Sequence, residues 1–185
     1  MKQLFEKYPE LEVCQGDIQR AFDLLLGTFQ QGGKVLVCGN GGSAADAEHF
    51  VGELMKGYML RRPLPEPLRL RLLEENPENG TYLADHLQGA LPAISLVSQV
   101  SLITAFANDV AADMVFAQQV LGYGKAGDAL IAISTSGNAL NVIHAVQVAC
   151  TLGLHTIGLT GPTGGMLKGW CEVTICAPGE RTPAI

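Results

Sequence analysis

Apolar positions recur at helical spacing over residues 16–31, where Ile18, Phe22, Leu25 and Phe29 fall on one face. Gly32-Gly33 ends that helix. Lys34-Val35-Leu36-Val37-Cys38 is then a short apolar run, the pattern of a strand buried on both faces. Gly39-Asn40-Gly41-Gly42-Ser43 is a glycine-rich turn. A second helix is predicted from about Ala44 to Met55, with Ser43 as its N-cap and Asp46 completing an imperfect capping box. The alternation continues with a strand at Ala93–Val97, helices near 99–107 and 113–122, and a strand at Ala129–Ser134. A helix over 139–152 carries Ile143, Val146 and Cys150 on one face; strands at His155–Thr160 and Val173–Cys176 follow. Strands alternating with helices imply right-handed βαβ units. The expected fold is α/β: a doubly wound, mostly parallel five-stranded sheet flanked by helices, Rossmann-like, in one domain over 1–185.

Residues 61–86 break the rhythm. They hold Arg61, Arg62, Arg69 and Arg71, five acids and four prolines, with a short helix predicted at 66–75. Such a polar insertion is either a solvated excursion or a flap or subunit contact.

Composition narrows the function. The 185 residues carry 12 basic and 18 acidic side chains, a net charge of −6, with 48% apolar residues. A chain this acidic has no broad footprint for nucleic acid or an anionic membrane. No apolar run reaches the roughly 18 residues of a spanning helix, and the polar start Met1–Lys7 is no signal core. Cys14, Cys38, Cys150, Cys171 and Cys176 are odd in number and show no CxxC pair. They read as free thiols of a reducing cytoplasm, mostly packed as small apolar groups, rather than as a zinc site.

Two loops carry candidate chemistry. Gly39–Ala44 satisfies G-x-G-x-x-A between a strand and a helix, a place where backbone N–H groups favour an anion. The acid that a dinucleotide site wants about 20 residues on is missing around Met59-Leu60-Arg61. A plain tight turn is the other reading. Ser134-Thr135-Ser136-Gly137-Asn138 ends a buried strand before a helix; three hydroxyls exceed what one N-cap requires and suit a phosphate. On the second helix His49 and Glu53 lie four residues apart on one face, with Asp46 on the same side. They are either an exposed pair or a general base beside a metal ligand or proton shuttle. Asn108-Asp109 contacts a polyol or forms a turn. Trp170 and Met166 read as core.

Taken in order, Gly39–Ser43, Asp46, His49, Glu53, Asn108-Asp109, Ile133–Asn138, Leu159-Thr160-Gly161 and Gly164-Gly165 resemble the sugar isomerase (SIS) domain family, and within it the phosphoheptose isomerases. The resemblance covers the chain from about residue 15 onward, apart from 61–86. It implies isomerisation of sedoheptulose 7-phosphate to glycero-manno-heptose 7-phosphate through an enediol. It implies homo-oligomers, tetramer or dimer, with active sites at subunit junctions, and zinc in many members. On that resemblance Glu53 is the catalytic carboxylate and, with His49, a metal ligand. Ser134, Thr135 and Ser136 cradle phosphate, and Asn40, Gly41, Gly42, Ser43, Asn108 and Asp109 contact substrate. Two departures stand out. Ala139 replaces a family serine, and a C-terminal helix carrying a glutamine and a histidine is expected to follow Glu180–Ile185. Without that helix the metal site is incomplete. The alternative is a non-catalytic SIS-domain protein that binds a sugar phosphate or a protein partner of the replication-initiator type.

Overall fold

A computed structural model describes residues 2–179. The Glu180–Ile185 stretch, on which the expectation of a further helix rests, lies outside the described residues. The elements run α1 (Lys2–Lys7), a 3₁₀ turn (Pro9–Cys14), α2 (Gln15–Gln30), β1 (Val35–Gly39), α3 (Gly42–Met55), α4 (Glu66–Glu75), α5 (Gly80–His86) and β2 (Ala93–Ser95). Then come α6 (Val100–Asp109), a 3₁₀ turn (Ala112–Met114), α7 (Val115–Tyr123), β3 (Ala129–Ile133), α8 (Leu140–Leu152), β4 (His155–Thr160), a 3₁₀ turn (Met166–Gly169) and β5 (Val173–Cys176). Among the described residues no helix is long and apolar enough to cross a membrane.

The five strands form one sheet in the order β2-β1-β3-β4-β5, every pairing parallel. That is the expected α/β sheet. Every residue of β1 and β3 is buried, as the unbroken apolar runs required. Side chains alternate between two cores. Leu36, Cys38, Leu130 and Ala132 pack with α7 and α8, whereas Val35, Val37, Ala129 and Ile131 face α2 and α3. The strand order reverses between β1 and β3, so the loops leaving their carboxyl ends flank a crevice, the place where such sheets bind ligands.

A part-buried ion pair pins the opposite, amino-terminal edge. Lys34 Nζ lies 2.5 Å from Asp128 Oδ2, and the Lys34 and Lys125 backbone N–H groups donate to the same carboxylate, each at 2.9 Å. Burial alone would raise the Asp128 pKa; the Lys34 ammonium and these N–H donors outweigh it and hold the carboxyl below its ordinary value.

Several expectations are corrected. The N-cap of α3 is Gly41, not Ser43, which lies inside the helix. Gly41 turns the chain at φ 58°, ψ −121°, a conformation open to glycine, so the turn is made by backbone and no side chain caps the helix. The seam of α2 passes through Ala21, Leu24, Leu25, Thr28 and Phe29, leaving Phe22 54% exposed. Phe22 lies about 100° round the helix from Ala21, at the margin of that seam. Trp170 and Met166 are exposed rather than core, because the 3₁₀ turn at Met166–Gly169 buries Leu167 in their place. Cys14 and Cys38 are buried, but Cys150 is exposed at the far end of α8.

The 61–86 stretch is folded. The predicted helix at 66–75 is α4, and α5 packs against it as a hairpin. Arginines tie this hairpin down. Arg62 donates to the carbonyls of Leu54 and Gly89 at 2.6 and 2.8 Å. Arg69 donates to the Ala84 carbonyl at 3.0 Å and to Asp85 at 2.8 Å, and Arg61 donates to the Asp85 carbonyl. Three of the four arginines therefore satisfy backbone acceptors, Arg61 and Arg69 within the hairpin and Arg62 on α3 and Gly89 beside it.

Candidate functional site

A cavity of about 830 Å³ opens at the carboxyl edge of the sheet. Its walls include Asn40, Gly42, Ser43 and Asp46 from the β1–α3 segment and Thr135 from the loop after β3. Phe50, Ile133, Leu159 and Ile175 give it an apolar wall, and Thr160 and Ala177 also line it. The two loops singled out in the sequence thus meet at one cavity, although they are nearly a hundred residues apart. Nothing lies within 4 Å of where a Cβ on Gly41 or Gly42 would sit, so that backbone is open to a ligand.

The loop after β3 is held from behind. The Gly161 N–H donates to the Thr135 carbonyl at 2.9 Å, and the Leu167 N–H donates to the Gly137 carbonyl at 3.0 Å. Asn138 Oδ1 accepts the Met166 N–H at 3.0 Å, while its Nδ2 donates to the Ser136 carbonyl at 3.0 Å. Gly137 has φ 66°, and a Cβ there would lie 2.1 Å from the Gly164 carbonyl oxygen. The loop is therefore locked, backbone against backbone, to the Gly164-Gly165 turn. The sequence signal for this lock was the pair of glycines after β4, legible only through resemblance.

The hydroxyls divide their work. Ser136 Oγ accepts the Asn138 N–H at 3.2 Å, a local turn of the kind capping would predict. The Ser134 and Thr135 hydroxyls make no hydrogen bond among the described residues. Ser134 is buried and Thr135 half-buried. No side chain caps α8, whose N-cap is Ala139. Two hydroxyls and first-turn N–H groups of α8 are thus left without side-chain partners, and of this loop Thr135 is the residue that lines the cavity, whereas Ser134 and Ser136 do not.

The remaining candidates stand apart from the cavity wall. His49 and Glu53 do pair along α3, Nε2 to Oε1 at 3.5 Å, with side chains 78% and 50% exposed. Each lies three residues after a cavity residue, Asp46 and Phe50 respectively, and so about 60° round the helix from that ridge. Asn108 and Asp109 are the last residues of α6, both exposed, with Asn108 Nδ2 donating to Asp109 Oδ1 at 2.8 Å. They do not line the cavity.

The described residues do not complete a zinc site. His49 and Glu53 provide two donors, and no group of three or more His, Cys, Asp or Glu side chains is gathered among the described residues. Protein zinc normally takes at least three such ligands.

Sequence reading missed one residue. Asn141, in the first turn of α8, exchanges side-chain hydrogen bonds with Asn40 across the crevice, at 2.8 and 2.9 Å. Only the three-dimensional neighbourhood of β1 and β3 reveals it.

The chain is similar to known proteins. The SIS domain family model matches residues 4–85 and 83–161. The phosphoheptose isomerase of Aliarcobacter butzleri is 39% identical over 175 residues, covering 95% of this chain and 79% of that protein. The phosphoheptose isomerase of Rhodospirillum rubrum is 37% identical, covering 93% of this chain and 78% of that one. Among solved structures, the phosphoheptose isomerase of Neisseria gonorrhoeae superposes with a TM-score of 0.74 at 33% identity, covering 99% of this chain and 84% of that chain. With the family model matched over residues 4–161 and relatives matched over nearly the whole chain, the chain belongs to the SIS domain family, among the phosphoheptose isomerases.

Proposed function

We propose that this chain is an aldose–ketose isomerase of a phosphorylated sugar, converting sedoheptulose 7-phosphate to glycero-manno-heptose 7-phosphate. The observation that carries the reading is the locked loop Ser134–Asn138. It places the unpartnered Thr135 hydroxyl in a cavity that Asn40, Gly42 and Ser43 also line, with the unpartnered Ser134 hydroxyl and the uncapped start of α8 next to it in the chain. Phosphate bound there fixes one end of the sugar, which supplies orientation for chemistry at the other. Asn40, Gly41, Gly42 and Ser43 meet the sugar hydroxyls.

Glu53 is the proton-transfer group in this reading. Its carboxylate removes the proton from the carbon beside the carbonyl, giving an enediolate; the hydroxyl proton passes to the former carbonyl oxygen, and Glu53 delivers a proton, exchangeable with solvent while it rests on this half-exposed carboxyl, to the former carbonyl carbon. His49, 3.5 Å away, orients the carboxylate. No step is assigned to a metal.

Geometry bears on assembly. Glu53 sits on α3 beside the cavity wall with its side chain half exposed, and so is open to a second copy, which supports a homo-oligomer with sites at subunit junctions. Exposed Asn108 and Asp109 belong with such a shared site.

The test is turnover of sedoheptulose 7-phosphate by the complete gene product. Glu53→Gln keeps the shape but cannot accept the proton, and should lose roughly a hundredfold or more in rate with little change in affinity. Turnover of this variant within about threefold of the parent refutes the role given to Glu53.

A further inference from the structure

We infer that Asn141 is a positioning residue for the isomerase site, acting through Asn40. The inference rests on the isomerase reading above. Asn40 Nδ2 donates to Asn141 Oδ1 at 2.8 Å, and Asn141 Nδ2 donates to Asn40 Oδ1 at 2.9 Å. Asn40 lines the cavity and Asn141 does not.

The reason this pair matters is an asymmetry in how the phosphate loop is held. Toward β4 it is fastened by backbone bonds from Gly161 and Leu167 and by the Asn138 side chain. Toward β1, past the strand ladder that ends at Gly39 and Ile133, no backbone hydrogen bond joins the 40–46 segment to the 134–141 segment among the described residues. The reciprocal amide pair is the hydrogen-bonded link across the crevice there. It sets the sugar-binding turn against the phosphate loop.

The pair also leaves Asn40 usable. An amide has two N–H donors and two acceptor lone pairs, and each partner spends one of each on the other. Asn40 keeps one N–H and one lone pair for a sugar hydroxyl, on a side chain whose rotamer is already fixed. A free Asn40 would have to be ordered when substrate binds, and that ordering opposes binding.

Steady-state kinetics on the complete gene product with sedoheptulose 7-phosphate test this, using Asn141→Ala, Asn40→Ala and the double variant. Alanine forms helix better than asparagine, so Asn141→Ala leaves α8 intact. Its kcat/KM should fall about tenfold, the scale of one or two neutral hydrogen bonds. The double variant should fall no further than Asn40→Ala alone, because Asn141 acts only through its partner. Competitive inhibition by inorganic phosphate should stay within about twofold of the parent, since the phosphate loop keeps its other fastenings. Asn141→Asp, which can accept from Asn40 but not donate to it, should lose activity to an intermediate degree. Parental kcat/KM in Asn141→Ala, additive losses in the double variant, or phosphate affinity falling in step with kcat/KM each overturn the inference. Absence of turnover in the parent instead overturns the isomerase reading, and this role with it.

Discussion

Gly137→Ala is the sharpest single perturbation of the site. Two costs add. The residue sits at φ 66°, where a Cβ costs about 1–2 kcal/mol. The new methyl would also lie 2.1 Å from the Gly164 oxygen and 2.6 Å from its carbon, atoms of the backbone that no rotamer change can move. The loops after β3 and β4 must then part. That strains or breaks the bonds from Leu167 N–H to the Gly137 carbonyl and from Met166 N–H to Asn138, each worth about 1 kcal/mol. The sum is about 3–4 kcal/mol. Gly153→Ala is the control. Gly153 ends α8 at φ 76°, but its Cβ would meet nothing nearer than the Ala126 Cβ at 3.5 Å, so it should cost only about 1–2 kcal/mol of strain. Urea unfolding of both variants measures the difference, and competition by inorganic phosphate measures the site. Gly137→Ala should be less stable than Gly153→Ala by about 2 kcal/mol and should bind phosphate at least tenfold more weakly. Equal stabilities with parental phosphate binding would refute the interlock.

Lys34→Met leaves the Asp128 carboxylate, 5% exposed, without its ammonium and should cost about 2–4 kcal/mol in urea unfolding. Because the folded-state pKa of Asp128 is depressed, its contribution is complete above the unfolded value of about 3.9 and is lost as pH falls through the folded value; in Asp128→Asn that part of the acid-side decline should be absent. Arg62→Ala removes two charged bonds, to the Leu54 carbonyl of α3 and the Gly89 carbonyl, so trypsin should cut faster at Arg61, Arg69 and Arg71 by mass spectrometry; an unchanged pattern means Arg62 does not pin the hairpin. Iodoacetamide should label exposed Cys150 in the native protein, while buried Cys38, its thiol pKa pushed far up by burial, and Cys171, pushed to about 12 chiefly by burial, react only after unfolding.

The sheet was legible in the sequence because buried parallel strands must be unbroken apolar runs. Val35–Cys38 and Ala129–Ile133 can be nothing else once flanked by glycine turns. The order of strands was not legible, since it depends on which crossovers bury which faces. Local chemistry misled at Ser43. A good capping side chain lost to Gly41, because the turn needs a positive φ that only glycine adopts cheaply. The 61–86 stretch looked solvated by composition, yet three of its arginines are spent on carbonyls. Composition counts charges without saying what they touch. The phosphate loop was visible as three hydroxyls in a row, but its fastening to Gly164-Gly165 and its link to Asn40 join segments distant in sequence. His49 and Glu53 were placed correctly on one face of α3, and their setting beside rather than in the cavity wall follows from a helical offset that spacing alone does not relate to the sheet.

One measurement bears on the whole account most directly. The complete gene product is incubated with sedoheptulose 7-phosphate in deuterated water, and the sugar is followed by NMR. An enediol route predicts formation of the heptose aldose phosphate with deuterium incorporated at the carbon beside the carbonyl, in the parent but not, at comparable rate, in Glu53→Gln. Binding of the sugar phosphate with no product and no deuterium incorporation would contradict the isomerase reading and leave a non-catalytic sugar-phosphate-binding protein on the same fold.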